Sequence, residues 1–185
     1  MKALKNPVVA VILAIIMIVA STLLSAGVKL GKETQKITDG FYDGVEYDGY
    51  NHTSIYSQLG NICGAADGIV AVASRYDIDC SNVSYASGDL KSSLSTMHNE
   101  ISSIYSLYDD LCTALNSIYN DLDGVELSSR DSEGIDAYKD TITNAQRVIS
   151  SAGYNESVRT YINSLGFPAN LFVKLCNADM PEYFA

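Results

Sequence analysis

The residues able to do chemistry in this chain are few and widely spaced. Cys63, Cys80, Cys112 and Cys176 form no C-x-x-C pair, so the close ligand spacing of a zinc site is missing. The two histidines, His52 and His98, have no Cys, Ser or acid at a diagnostic spacing, and both read as partly exposed polar residues. Asp77, Asp79 and Ser81 open like a calcium loop. Its sixth and twelfth positions would be Asn82 and Gly88, where Gly and a bidentate Glu are required. No G-x-S-x-G, H-E-x-x-H or Gly-rich phosphate loop is present. Glycosylation triplets begin at Asn51, Asn82 and Asn155, matches expected by chance in a chain so rich in Ser and Asn. The expectation is therefore a protein with no catalytic residue, no metal site and no cofactor, and not an enzyme.

The elements that would position any site are plainer. In 185 residues with 47% hydrophobic content and a net charge of −10, the apolar fraction is too high for disorder. The acidic balance argues against nucleic acid, whose phosphates need a basic footprint. Mean hydropathy is still near zero at +0.06, so the apolar residues must be concentrated. They lie between Pro7 and Leu30, where Val8–Ala20 has no polar side chain and only Ser21, Thr22 and Ser25 interrupt later. Roughly 20 such residues cross ~30 Å of hydrocarbon as a helix. A cleaved secretory signal is the rival, but its best cut, after Ala26, has Leu24 where a small residue is wanted. An uncleaved, single-pass anchor is expected, touching lipid through residues 7–30.

Charge divides at this segment. Five lysines against Glu33 give residues 1–36 a charge of +4, leaving −14 for the remainder. Lysines flank the apolar run on both sides, so the positive-inside rule fixes no orientation. The short Lys2/Lys5 head and the Lys-poor body lean toward an extracytoplasmic domain.

Residues 37–53 hold Asp-Gly pairs at 39–40, 43–44 and 48–49 with Phe41, Tyr42, Tyr47 and Tyr50 among them. They read as an irregular acidic connector whose aromatics pack back on the domain. From 54 to 185 the periodicity is helical. One seam runs Ile55, Leu59, Ile62, Ala66, Ile69, Ala73, Tyr76, predicting a helix over about 54–76. A second holds coiled-coil-like heptad spacing from Leu90 through Met97 and Ile101 to Val125, predicting one helix over about 83–127. A third, from Ile135 through Ile142 to Leu165 with a phase slip near Gly153, predicts 132–165, capped by Asp131 or Ser132. A short helix over about 169–176 follows. No strand hairpin is read.

The fold class expected is all-α: an N-terminal transmembrane helix and an antiparallel bundle of long helices. Three such helices would bring the C-terminal tail to the 77–83 turn. That places Cys80 and Cys176 at one pole, where a disulfide would form in an oxidising space. Gly60, Gly64 and Gly68 recur every four residues opposite the first seam. They form either a close-packing face for another helix or copy, or a tolerant solvent face.

The last thirty or so residues carry a further pattern: Tyr154, Asn155, Val158 and Tyr161, then Phe167, Pro168 and Asn170, then Tyr183 and Phe184. This resembles the C-terminal signature of the LemA family, in which a Y-N-x-x-V-x-x-Y-N helix runs into F-P-x-N. Ile162 departs from that pattern, as does the shorter Tyr161–Phe167 spacing. The family's D-L-I-P-N-L run has no counterpart in residues 56–76, so the likeness is to a divergent member. What the resemblance implies is a bacterial membrane-anchored helical bundle of the cell envelope without established enzymatic activity. Its signature residues would then be fold determinants. The function expected is interaction or scaffolding with a protein partner or a second copy. The alternative is a sensing or small-ligand-binding extracytoplasmic domain.

Overall fold

The computed structural model of the chain describes residues 7–47, 49–51, 53–96, 100–167, 169–176 and 179–185. It is helical almost throughout, with α1 (Pro7–Asp43), α2 (Ile55–Ala73), α3 (Ser81–Ser95), α4 (Ile101–Leu122), α5 (Ser129–Ser151), α6 (Tyr154–Ser164) and α7 (Ala169–Cys176). Two compact units are formed: residues up to 38 with 158–181, and residues 39–157 with 182–185.

In the first unit, α1 is long and apolar enough to cross a membrane. Its large side chains from Val11 to Val19, with Leu24 and Val28, are exposed, as a lipid-facing helix requires. Ser21 and Thr22 both donate to the Ile18 carbonyl (2.9 and 2.7 Å). Neither hydroxyl therefore carries an unpaired donor on the apolar face.

The second unit is a four-helix bundle. α2 packs against α3, α4 and α5, and α3 packs against α4. Side-chain pairs fix the directions: Asp67 on α2 meets Ser87 on α3, and Tyr76, just beyond α2, meets Asp131 on α5. Gln146 on α5 meets Cys112 on α4, while Lys139 lies over the Tyr119 ring. Consecutive helices are antiparallel, and α5 returns antiparallel to α2, giving an up-down-up-down arrangement. The seams close on Leu59, Ile62, Ile69, Leu90, Ile104, Leu111 and Leu115, all at most 2% exposed.

Several features differ from the sequence expectation. The heptad run does not make one helix over 83–127; it folds back after Ser95, where Thr96 takes an extended ψ of 97°. An unbroken helix of that length would reach about 68 Å, while the 19 residues of α2 span only about 28 Å. Half its seam would be left in water, and folding back buries both halves. The apolar spacing continues across the turn, so periodicity cannot reveal the break. The extra reversal also changes parity. α5 runs back to the starting pole, and residues 182–185 lie there beside Ser102 and Tyr105, away from the 77–83 turn.

The other differences are local. The 132–165 run breaks at Gly153, whose φ of 71° is cheap only without a Cβ; it becomes α5 and α6. Ser128, rather than Asp131 or Ser132, caps α5 by accepting from the Asp131 amide at 3.2 Å. In the acidic connector, α1 continues to Asp43 and ends on Gly44 (φ 91°), whose amide donates to the Gly40 carbonyl at 3.0 Å, an αL cap. Beyond it Glu46–Tyr47 pairs antiparallel with Tyr50–Asn51, a short hairpin that the sequence reading did not include. Gly49 there has a φ of 75°, as a tight hairpin turn requires.

Candidate functional site

Two constellations stand out, one in each unit. In the bundle unit, Phe41 from the end of α1 is fully buried and meets the rings of Tyr154 and Phe184 edge-on or tilted, with centroids 5.8 and 5.6 Å away. Phe184 also meets Tyr105 and Tyr108 of α4. Such pairs add about 0.5–1.5 kcal/mol each beyond area burial. Polar groups fix the same residues. The Tyr154 hydroxyl donates to the Glu182 carbonyl at 2.9 Å. The Asn155 amide both donates to the Phe184 carbonyl and accepts from the Phe184 amide, each at 2.8 Å. Glu182 in turn accepts from the Ser102 amide and hydroxyl at 3.0 Å. The last four residues are thus clasped by α4 and α6. Burial pushes the Tyr154 phenol well up and the Tyr108 phenol to about 12, so both stay neutral.

In the first unit, Tyr161 of α6 donates to the Leu30 carbonyl and pairs with the Thr34 hydroxyl, both at 3.2 Å. Beside it lies a cavity of about 520 Å³ lined by Ser25, Lys29, Glu33, Tyr161, Ser164 and Phe167, among others. Phe172 of α7 packs on Gly27 of α1 so closely that a Cβ there would run into its ring.

The residues singled out by sequence therefore separate. Tyr154 and Val158 are buried, Phe184 is 5% exposed, and Asn155 and Tyr161 are half-buried and hydrogen-bonded. These five fix the chain where the signature runs. Phe167 is 83% exposed, and Asn170 and Tyr183 are exposed too. They are not core residues, contrary to a uniform role as fold determinants. Pro168, His52 and His98 lie outside the described residues.

Cys80 is a free, buried thiol donating to the carbonyls of Ile78 and Val70 (3.3 and 3.9 Å). The disulfide expected with Cys176 is not made. Its premise was a tail returning to the 77–83 turn, and four-helix parity sends residues 182–185 to the other pole; the Cys176 side chain lies outside the described residues. Of the glycines, Gly68 is a close-packing position, covered by the Tyr138 ring of α5, whereas Gly60 and Gly64 face open space. One position of the three packs against a helix, and the other two face open space.

A polar network at the far pole has no signature in the residue spacing. Tyr76 donates to Asp131 at 2.7 Å and accepts from the Ser128 amide at 2.9 Å, and Arg75 pairs with Asp131 at 2.8 Å. The Tyr76 hydrogen bond, then that of Ser128, holds the Asp131 carboxyl below its ordinary range, with Arg75 and Arg130 adding to it. Tyr76 ends the first seam, so only its half-buried position signals a polar task. Among the described residues no three His, Cys, Asp or Glu side chains converge on a possible metal position. Compared with known proteins, the chain matches no family model, no curated protein and no solved structure.

Proposed function

We propose that the chain is a LemA-like, membrane-anchored module of the bacterial cell envelope. On this reading α1 crosses the cell membrane once and the acidic bundle, on the extracytoplasmic side, binds a protein partner or a second copy without catalysing a reaction. The exposed apolar run of α1 carries this reading, because 18 consecutive residues with none of their window buried have no stable place in water. The C-terminal resemblance and the bundle's acidic composition support it further. A small-ligand-binding role is the second reading, favoured by the cavity beside Tyr161 with Lys29 and Glu33 in its lining.

The test is cross-linking of the full chain in intact cells, followed by gentle detergent solubilisation and purification. A reproducible protein partner or a defined homo-oligomer is expected. A lone monomer that turns over a substrate, with turnover lost on substituting His98 or one Asp while folding is kept, would overturn the assignment.

A further inference from the structure

The geometry points to a second membrane contact: α7 lies in the headgroup layer of the bilayer that α1 crosses, with Phe167, Leu171 and Leu175 turned into lipid. This rests on the anchor reading of α1 given above. Counting from Pro7, Gly27 is about 30 Å along α1, one hydrocarbon thickness from the helix start. At that level Phe172 of α7 is seated on Gly27, and Phe167 and Ala169 share a cavity wall with Thr22, Ser25 and Ala26. The α6–α7 segment is therefore held against the last apolar turns of α1, at the depth of the membrane boundary.

What α7 presents there suits lipid. Phe172 and Val173 are half-buried, while Leu171, Lys174 and Leu175 are exposed. Phe167, four residues before Leu171, is 83% exposed, and Leu175 is 66% exposed. Large apolar side chains this bare are unfavourable in water, whereas a short amphipathic helix lying in the interface buries such a face at the headgroup–acyl boundary. Charge is present at the same level: Lys29, with Glu33 one turn further on, shares the cavity wall with Phe167 and Ala169, Lys32 follows on the neighbouring α1 surface, and Lys174 is exposed on α7. Lysines at this depth reach outward to lipid phosphate. A bilayer accounts for both the apolar face and its basic border.

The chain contains no tryptophan, so a single introduced Trp reports one position alone. Phe167→Trp, Leu175→Trp and Ile16→Trp versions of the full chain, reconstituted in phosphatidylglycerol/phosphatidylethanolamine vesicles, are compared with lipids brominated near the headgroup or deep in the acyl chains. Phe167→Trp and Leu175→Trp should lose most of their emission to shallow bromines and little to deep ones. Ile16→Trp should show the reverse. Quenching of Ile16→Trp with water-like, unquenched emission from the other two overturns the interfacial helix and leaves the anchor intact. Blue-shifted but unquenched emission from positions 167 and 175 overturns it in favour of a protein cover. Failure of Ile16→Trp to quench overturns both readings.

Discussion

At the scale of single residues, the molecule holds its C-terminus by side chains that read as a signature in the sequence. Asn155 is the clearest, since its amide satisfies both backbone groups of Phe184. Asn155→Ala leaves those groups half-buried and unpaired, which costs about 1–3 kcal/mol; urea unfolding of the bundle should show that loss. The glycine stripe gives a sharper contrast. Gly60→Ala and Gly64→Ala add a methyl into open space and should each stabilise by about 0.5–1 kcal/mol. Gly68→Ala drives its methyl into the Tyr138 ring, and overpacking of about 1–3 kcal/mol should cancel or exceed the same gain. Three equal stabilisations would contradict this division. Titration gives a further residue-level outcome. The folded value of Asp131 is depressed, so its contribution is present at neutral pH and is lost as pH falls through that value; Asp131→Asn should flatten the acid limb. Burial raises Cys63 from 9.0 to about 11 and Tyr119 from 10.0 to about 12. These groups favour the fold in their neutral forms, so stability should decline as pH rises from about 9 to about 12. Cys63→Ala should remove the earlier part of that decline.

At the scale of elements, spacing was legible where one seam meets one core and illegible where the chain reverses without breaking its spacing. The seam residues Ile55, Leu59, Ile62, Ala66, Ile69 and Ala73 are buried as their period requires. The run from Leu90 to Leu122 is equally regular, yet it holds two helices, because a heptad pattern records which side faces the core and not the direction of travel. Gly153 shows the opposite case: the phase slip in the sequence marks a real break, made by a residue at φ 71°. Gly153→Ala should cost about 1–2 kcal/mol, since a Cβ disfavours left-handed backbone. Far-UV circular dichroism should show native helix content in the variant at low temperature and an earlier melting transition. Gly153→Ala melting with the parent chain would mean that α5 and α6 do not need that turn. The burial of Phe41 could be read only in outline, because its partners Tyr154 and Phe184 are more than a hundred residues away in sequence.

At the scale of the whole molecule, the charge division visible in the sequence has a structural counterpart. The residues up to 38 join 158–181 in one unit, and the acidic remainder forms the four-helix bundle. The extent of the first unit was not legible, because nothing in its spacing says that Tyr161 reaches Leu30 and Thr34. The site is legible only in part for the same reason: signature residues are recognised by type, and their partners by contact. The proposed function requires that α1 remain on the chain and anchor it in a bilayer. Alkaline carbonate extraction of membranes from cells expressing the chain with a C-terminal tag tests this most directly. An uncleaved anchor gives a full-length product retained in the membrane pellet. Release into the supernatant, or a product shortened by the apolar N-terminal segment, would contradict it.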